Sequence, residues 1–351
     1  MNEFRVASLF SGGGGTDIGL SGGFSFLGKE YASNNIKIVY ANDIEESANK
    51  MFEENFNLKP DNRDIRKIPT AEIPDFDILT GGFPCQSFSV SAQNPKRLGI
   101  KDERGLLFFE MVRILKEKQP KAFIAENVKG ILSANNGEAF PLIIKEFENI
   151  GYNVSFKLLY AANYGVPQKR ERVFIVGIRD DIDLSYLFDE PPLKSTDDYV
   201  PLSEILEKDI SDKYFFSERA VQGMLNSRTS KLMNKGRAQD ITKPCNTVSS
   251  HLAKVSLNST DPVLFEKGKY RRFTPREVAR IQSFPESYIL SGSEGAQYRM
   301  LGNAIPPVMM WYVAKKLFYM LRNPEEYKLQ NNRINFSKYV KEKEYMQLEL
   351  F

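Results

Sequence analysis

The chain has 351 residues, of which 42% are hydrophobic, and a formal net charge of +3, a composition that predicts a soluble globular protein of about two domains. No apolar run approaches the ~18 residues of a membrane span, and the N-terminus lacks the basic and long apolar regions of a secretory signal. Two cysteines and a single histidine argue against a disulfide framework and against histidine-rich or cysteine-rich metal sites. We therefore expect free thiols, no metal, no membrane contact and a cytoplasmic location.

The positive charge is concentrated in one segment. Between Lys213 and Arg280 the sequence has 14 lysines and arginines against 5 acidic residues, so the rest of the chain is net negative. A basic segment attached to an acidic body indicates a surface for a polyanion, most simply nucleic acid. A basic surface that is only solvated is the alternative explanation.

The first predicted strand, residues 5–10, runs directly into the glycine-rich stretch Gly12–Gly15. Consecutive glycines after a strand let the main chain approach a ligand closely, and the helix that follows would offer free N–H groups. The spacing departs from strict GxGxxG, so this stretch alone is a weak indication of a nucleotide cofactor.

A second strand, predicted over residues 36–41, ends just before Asp43. A carboxylate at this position can accept hydrogen bonds from ribose hydroxyls. After a predicted helix over 45–56, Asp64 and Ile65 could contact the edge and the face of an adenine. Helix caps or turn residues are the alternative explanation for both aspartates.

The stretch Gly81 to Ser89 follows the apolar run 76–79, which predicts a short buried strand. Its glycines and Pro84 are typical of a rigid loop, and such a loop would emerge at the carboxyl edge of the sheet, where α/β folds bind ligands. Cys85 is therefore a candidate nucleophile, active as a thiolate beside a cation or a helix N-terminus. A buried, inert cysteine is the alternative. The polar residues 91–103 beyond it predict a mobile lid.

Charged residues also stand at the ends of two later strands. A predicted strand over 122–125 places Glu126 at the same edge. Burying a carboxylate there costs free energy, so we expect Glu126 to have an ionic partner or a functional role. At the start of a predicted strand over 173–177, alternation sends Arg170 and Arg172 to one face, where both could meet the site. A salt-bridged glutamate and a solvated charge cluster are the alternatives.

The second half of the chain gives fewer signals. Residues 180–195 predict a linker, and the basic segment after it shows little helical periodicity. Thr274, Pro275 and Glu277 predict a helix that begins with a capping box, and a last helix is predicted over 308–321. Alternating strands and helices up to Gly177 predict an α/β fold with an open, doubly wound, mostly parallel, Rossmann-like sheet.

These motifs together resemble one family over most of the chain. Pro84-Cys85-Gln86 resembles the Pro-Cys-Gln motif of the DNA cytosine-5 methyltransferases, and Phe10-x-Gly12-x-Gly14 resembles their S-adenosylmethionine loop. Ser8 stands where an acidic residue is common in that family. Further similar motifs are Glu126-Asn127-Val128, Gln168 to Arg172 and, as the family's ninth motif, Arg271 to Gln282.

The resemblance implies a cofactor-binding catalytic domain over 1–190 and 302–351, and a small basic target-recognition domain over 195–290. It implies methyl transfer from S-adenosylmethionine, which leaves as S-adenosylhomocysteine, to a flipped-out cytosine of double-stranded DNA. Cys85 would attack C6 of the base, Glu126 would contact N3, and Arg170 and Arg172 would position base and phosphate. A water and a side chain are both open as acceptors of the C5 proton.

The resemblance also assigns two sets of binding residues. The implied cofactor contacts are Phe10, Gly12, Gly14, Asp43, Ile44, Asp64, Ile65, Pro84, Leu107, Asn303 and Ala304. The implied DNA contacts are Gln86, Ser89, Arg97, Thr247, Lys254, Arg271 and Arg272.

A compact enzyme of this kind usually belongs to a bacterial restriction–modification system, so we expect a monomer in the bacterial cytosol and a separate cognate endonuclease. The alternatives are a tRNA cytosine-5 methyltransferase of the same fold and a catalytically silent DNA-binding relative. A nicotinamide dehydrogenase would explain the glycine stretch and Asp43 but not the Pro-Cys-Gln sequence.

Overall fold

The computed structural model describes residues 3–83, 106–226, 238–252 and 261–331. Several predicted features lie outside these residues. They are Pro84, Cys85, Gln86, Ser89, Arg97, Lys254 and the predicted lid 91–103.

The described residues form a set of short and long strands. In chain order they are β1 (Phe4–Leu9), β2 (Phe24–Phe26), β3 (Lys29–Tyr31), β4 (Ile36–Asn42), β5 (Ile78–Gly81), β6 (Ala122–Val128), β7 (Tyr152–Tyr160), β8 (Gln168–Lys169), β9 (Glu171–Arg179), β10 (Cys245–Asn246), β11 (Leu264–Glu266) and β12 (Lys269–Arg271). The α-helices are α1 (Gly15–Ser21), α2 (Glu46–Phe56), α3 (Leu106–Lys118), α4 (Ala139–Asn149), α5 (Glu218–Asn226), α6 (Pro275–Ile281), α7 (Glu294–Asn303), α8 (Pro307–Arg322) and α9 (Pro324–Asn331). Within the described ranges, no helix is both long and apolar enough to cross a membrane.

A six-stranded sheet, in the order β4-β1-β5-β6-β9-β7, forms the centre of the molecule. β4, β1, β5 and β6 are parallel, and β9 runs antiparallel to both of its neighbours. Because β9 is reversed, its first residues lie at the carboxyl edge of β6, where Arg172 pairs with Val128. The predicted mostly parallel α/β sheet is confirmed, and its one reversed strand brings a basic residue to the edge that binds ligands.

Apolar side chains cover both faces of the sheet. Along β1, Val6 belongs to the apolar cluster that contains α1 and α8, whereas Ala7 belongs to the cluster that contains α3 and α4. Successive residues of a strand point to opposite faces, so a strand buried on both sides reads as a continuous apolar run. Helices on both faces leave the carboxyl edge of the parallel strands open.

The basic segment packs onto the same body. Leu202, Val248 and Phe273 are buried in the cluster that also contains Val6 and the apolar face of α8. β10 pairs in parallel with β8, while β11 and β12 form a separate hairpin. The boundaries 195–290 for a target-recognition domain stay a prediction.

Two predictions for the second half of the sequence, the capping box and the last helix, can be compared with the structure. The predicted capping box is confirmed, because Thr274 Oγ1 accepts from the Glu277 N–H at 3.1 Å and the Glu277 carboxylate accepts from the Thr274 N–H at 2.9 Å. The predicted last helix over 308–321 is confirmed as α8, which starts at Pro307 after the turn 304–306. Gly302 and Asn303 end α7, a helix that the local sequence pattern did not predict.

Candidate active site

A cleft of about 550 Å³ opens at the carboxyl edge of the sheet. The turns after β1, β4 and β5 line it, together with the end of β6, the start of β9 and the end of α7. Among the predicted cofactor residues, the cleft is lined by Phe10, Gly12, Asp43, Ile44, Asp64, Ile65, Leu107, Asn303 and Ala304. Residues far apart in the sequence therefore meet around one cavity.

The glycine turn uses its glycines in two different ways. Gly12 has φ +54°, and a Cβ placed there would meet no other atom within 4 Å, so the main chain faces open space in the cleft. Gly14 has φ +83°, and a Cβ would lie 2.2 Å from the ring of Phe56. Gly14 is not among the residues that line the cleft. A glycine is needed here for packing against α2, and the assignment of Gly14 as a cofactor contact stays a prediction.

Asp43 is held with its carboxylate at the cleft. Its Oδ2 accepts from the Gly12 N–H and its Oδ1 accepts from the Glu45 N–H, both at 2.9 Å. Burial raises the pKa of Asp43, and these hydrogen bonds act against the shift. Each carboxylate oxygen keeps a further lone pair for a ligand hydroxyl.

The neighbouring side chains are suited to a nucleoside. Ile44 lines the cleft with 71% of its surface exposed, so its apolar side chain is available to pack against a flat ligand. Phe10 is partly buried on the same lining. Apolar contacts beside the Asp43 acceptors fit the adenosine part of S-adenosylmethionine.

Asp64 and Ile65 are less available than the sequence suggested. The Asp64 carboxylate accepts from the Arg66 N–H at 3.0 Å and pairs with the Arg66 guanidinium at 2.6 Å, which lowers its pKa. This is the capping role weighed as the alternative, here for a 3₁₀ turn at Ile65–Lys67. Ile65 is only 2% exposed. Both line the cleft from its edge.

Glu126 lies buried on the cleft, at the end of β6. Its Oε1 is 2.8 Å from Nε of Arg172, and both side chains are largely buried. Burial raises the pKa of Glu126, while the charges of Arg172 and Arg170 act in the opposite direction. A buried carboxyl beside a fixed cation is a candidate for binding a polar group of a ligand.

Asn127 is a site residue to which the sequence pattern assigned no role. It is 2% exposed, and its Nδ2 donates to the carbonyl of Phe83 at 3.2 Å. This bond fixes the chain two positions before Cys85. The Glu-Asn-Val motif could have identified Asn127, but the sequence analysis assigned a role only to Glu126.

Arg170 lines the cleft, but its hydrogen bonds among the described residues go to main-chain carbonyls. It is 1% exposed and donates to the carbonyls of Val248, Gly302 and Ala304 at 3.2, 3.1 and 2.9 Å. Arg172, two positions later, reaches Glu126. The two arginines of the motif thus have different partners.

The described DNA candidates also differ from one another. Arg271 is fully buried and pairs with Glu277 and Glu266, each at 2.8 Å, so its assignment as a DNA contact is corrected to a structural ion pair. Arg272 remains partly exposed above the ring of Tyr214. The exposed Thr247 donates its hydroxyl to the carbonyl of Lys169 at 2.7 Å.

A buried polar pair behind the glycine turn was not anticipated. Ser8 Oγ donates to Asp17 Oδ2 at 3.1 Å, and burial raises the pKa of Asp17 to about 7. Tyr288 donates its hydroxyl to the Gly13 carbonyl at 2.5 Å and so ties this turn to the segment after α6. The serine at position 8, in place of an acidic residue, was the only sequence signal of this arrangement.

The described residues contain no group of three or more His, Cys, Asp or Glu side chains placed to hold a metal ion.

Known proteins are similar to this chain over most of its length. The Type II methyltransferase M.FnuDI of Fusobacterium nucleatum is 37% identical over 358 residues, which cover 92% of this chain and 97% of the relative. The Type II methyltransferase M1.ScrFI of Lactococcus lactis subsp. cremoris is 34% identical and covers 92% of this chain and 80% of the relative.

The fold is shared with solved structures of lower sequence identity. The S. pombe Dnmt2 methyltransferase matches with a TM-score of 0.68 and 22% identity, covering 92% of this chain and 99% of that one. Residues 4–319 match the family described as C-5 cytosine-specific DNA methylase. This match covers the glycine turn, Glu126 with Arg172 and the turn after α7, so the chain belongs to the C-5 cytosine-specific DNA methylase family.

Proposed function

We propose that this protein methylates C5 of a cytosine flipped out of double-stranded DNA, at a specific site, with S-adenosylmethionine as the methyl donor. The observation that carries the proposal is the buried Glu126–Arg172 pair on the same cleft as the nucleoside-type contacts of Asp43 and Ile44. Glu126 would bind the base, and Asp43 and Ile44 would bind the cofactor. Because these residues line one cavity, a base and a nucleoside cofactor could react there.

S-adenosylmethionine, when bound, supplies an electrophilic methyl group to this cleft. Asp43 would accept the ribose hydroxyls, and Ile44 and Phe10 would cover the adenine. Asn303 and Ala304 would close the opposite side, where they line the cleft. These roles use main-chain and side-chain atoms that already face the cavity.

Glu126 would hold the target base. Its carboxyl would hydrogen-bond N3 and the exocyclic amine of cytosine, and its raised pKa favours donation of a proton to N3. Arg172 fixes one oxygen of this carboxyl, so the other can face the base. Arg172 thereby orients the acid, and its charge acts against the rise in the pKa of this carboxyl.

Cys85 would be the nucleophile, and the other cysteine supports this assignment. Cys245 is fully buried, and burial raises the pKa of its thiol far from the range in which a thiolate forms. The sequence has two cysteines, so Cys85 remains as the thiol for catalysis. It follows Phe83, which lines the cleft and is held by Asn127.

The proposed steps balance in electrons and protons. The thiolate of Cys85 forms a bond to C6, and the electron pair displaced towards N3 takes a proton from Glu126. C5 would then carry the electron density that takes the methyl group, whose bond to the sulfonium sulfur breaks, so that S-adenosylhomocysteine leaves. Transfer of the C5 proton to a base, either a water or a side chain, would send the electrons of the C5–H bond into the ring and break the C6–S bond. The thiolate of Cys85 would be restored, and N3 would return its proton to Glu126.

The basic segment would bind the DNA. Thr247 and Arg272 are the described candidates that remain, and Gln86, Ser89, Arg97 and Lys254 stay proposals from the sequence. The relatives named above are Type II methyltransferases, so we propose that this protein modifies sites that a separate endonuclease would otherwise cut.

The proposal is tested by trapping with duplex DNA that contains 5-fluorocytosine, in which loss of the C5 substituent is blocked. With S-adenosylmethionine, the wild-type protein is expected to form a stable protein–DNA adduct, and Cys85→Ala is expected to form none while it still binds DNA. Cys245→Ala, the matched control, should form the adduct like the wild type. An adduct in the Cys85→Ala variant would overturn the assignment of Cys85 as the nucleophile, and no adduct in active wild-type protein would overturn the covalent mechanism.

The same preparation separates the alternatives. Transfer of the labelled methyl group to duplex DNA, with little transfer to tRNA, is expected for the DNA enzyme. Transfer to tRNA alone would favour the RNA methyltransferase, and no transfer to either, together with DNA binding, would favour the catalytically silent relative.

A further inference from the structure

Arg170 is a buried cation that faces main-chain carbonyls. Its Nη1 donates to Val248 O, and its Nη2 donates to Gly302 O and Ala304 O. Its Nε is buried with no hydrogen-bond partner among the described residues. Burying an arginine in this way costs free energy, so the contacts that it makes must be needed for the arrangement around it.

The carbonyls of Gly302 and Ala304 belong to the end of α7. The last carbonyls of a helix have no partner inside the helix, and a positive charge at this end interacts favourably with the helix dipole. Arg170 supplies both the hydrogen bonds and the charge. The last two residues of α7 and the first two of the turn after it, residues 302–305, line the cleft.

Two buried glutamines reinforce the same joint. Gln168 accepts from the Val248 N–H at 3.0 Å and donates to Gln282 Oε1 at 2.8 Å. Gln282 donates in turn to the carbonyls of Leu301 and Ala304. Both glutamines are fully buried. The end of α7, the end of α6 and the segment after β10 are thus joined by one polar network.

We propose that Arg170 is a positioning residue, which holds the turn 302–305 against Val248 so that this wall of the cofactor cleft is formed before the cofactor binds. This inference rests on the proposed function and assigns Arg170 to the wall of the cleft and not to contact with base or phosphate. Arg172 is left as the arginine of the motif that acts on Glu126.

The network also links the cofactor wall to the basic segment, because Val248 lies one position after Thr247. A shift of this segment would pull on the same carbonyls that Arg170 holds. Loss of Arg170 should therefore loosen the cofactor site first, while the groups that attack and hold the base stay in place.

The test compares Arg170→Lys and Arg170→Met with wild type. Affinity for S-adenosylhomocysteine is measured by calorimetry without DNA, and adduct formation with 5-fluorocytosine DNA is measured at saturating S-adenosylmethionine. We expect affinity to fall at least tenfold in Arg170→Met and by less in Arg170→Lys, which keeps the charge and three donors. In Arg170→Lys, which keeps the charge that acts on Glu126, adduct formation at saturation should stay within about threefold of wild type.

Arg179→Met is the matched control, because Arg179 lies at the far end of β9 in a partly exposed pair with Asp181. It should bind S-adenosylhomocysteine within twofold of wild type. If Arg170→Met does not fold, the cofactor affinity of Arg170→Lys alone tests the inference. Hydrogen exchange of the peptide 296–306 should then be faster in Arg170→Lys than in wild type.

Unchanged cofactor affinity in Arg170→Lys, with loss of the adduct at saturating cofactor, would overturn the inference and assign Arg170 to the base or the DNA. A wild-type protein that binds no S-adenosylhomocysteine and methylates no DNA would instead overturn the proposed function. The two failures are therefore distinguishable.

Discussion

The two walls of the cleft are built by different means. The strand-edge wall (residues 10–13 and 42–45) consists of turns that follow β1 and β4 directly, and the Gly12–Asp43 hydrogen bond joins them. The helix-turn wall (residues 302–305) is held by Arg170, Gln282 and the main chain at Ser249, which are distant in sequence. The strand-edge wall follows from strand register, and the helix-turn wall depends on buried polar contacts.

This difference predicts different responses to substitution. Changes in the strand-edge wall should alter single ligand contacts, because the sheet holds the backbone. Changes in the helix-turn wall should move the wall itself and lower stability together with cofactor affinity. The following substitutions test this contrast.

The largest effect is expected for Gly302→Ala. A Cβ at Gly302 would lie 2.2 Å from the carbonyl carbon and oxygen of Ser249, and backbone atoms cannot turn aside as a side chain can. We expect a loss of about 3 kcal/mol in the free energy of unfolding. Affinity for S-adenosylhomocysteine should fall by about tenfold or more, which corresponds to at least ~1.4 kcal/mol.

Gly295→Ala is the control on the same helix, because a Cβ there would have its nearest neighbour 4.0 Å away. Its stability, measured by urea unfolding, should stay within about 0.5 kcal/mol of wild type. Equal behaviour of the two variants would remove the close approach at Gly302 as the basis of the helix-turn wall.

A smaller effect is expected at Asp17, behind the strand-edge wall. Its pKa is raised to about 7 in the folded protein from an ordinary value of 3.8, because burial disfavours the charged form. The native state therefore binds more protons than the unfolded state between these two values, and stability falls as pH rises through this window. Between pH 5.5 and 8 this contributes a loss of about 2 kcal/mol.

Asp17→Asn should remove this contribution, because the amide does not titrate while its oxygen can still accept from Ser8. The measurement is the difference in unfolding free energy between wild type and variant, followed over pH 5.5–8. A difference that does not change with pH would show that Asp17 is ionised throughout.

The smallest effect is expected for Asp43→Asn in the strand-edge wall. The substitution removes one negative acceptor at the ribose position, so affinity for S-adenosylhomocysteine should fall about tenfold, or ~1.4 kcal/mol. The unfolding free energy should fall by no more than about 1 kcal/mol, because the amide oxygen keeps one of the two main-chain hydrogen bonds of Asp43 and the sheet fixes both turns. Asp75→Asn, in an exposed pair with Lys118, is the control and should leave the affinity unchanged. A large loss of stability in Asp43→Asn would erase the contrast between the two walls.

The sequence predicted the strand-edge wall well. The pattern of apolar residues in the sequence located β1, β4, β5 and β6. Residues that directly follow parallel strands lie at the same edge of the sheet. The meeting of Phe10, Gly12, Asp43 and Ile44 at one site is therefore predictable from the sequence alone. The capping box at Thr274 was equally predictable, since it depends on four consecutive residues.

The sequence did not predict which partner each charged side chain takes. Arg170 and Arg172 share one motif and one strand start, yet one holds main-chain carbonyls and the other holds Glu126. Arg271 looked like a DNA contact, but Glu277 and Glu266 neutralise it inside the protein. The sequence predicted that the Asp64 carboxylate would bind a ligand, but it pairs with the Arg66 guanidinium.

The sequence by itself determined the open α/β sheet, its ligand-binding edge and the family-type motifs along that edge, because these depend on local periodicity and on residues next to strand ends. Only the tertiary structure decided the burial of Arg170, Arg271 and Asp17 and the closure of the cleft by α7. Those features arise where segments distant in sequence pack together, and each buried charge then takes the polar partners that the packing brings within reach.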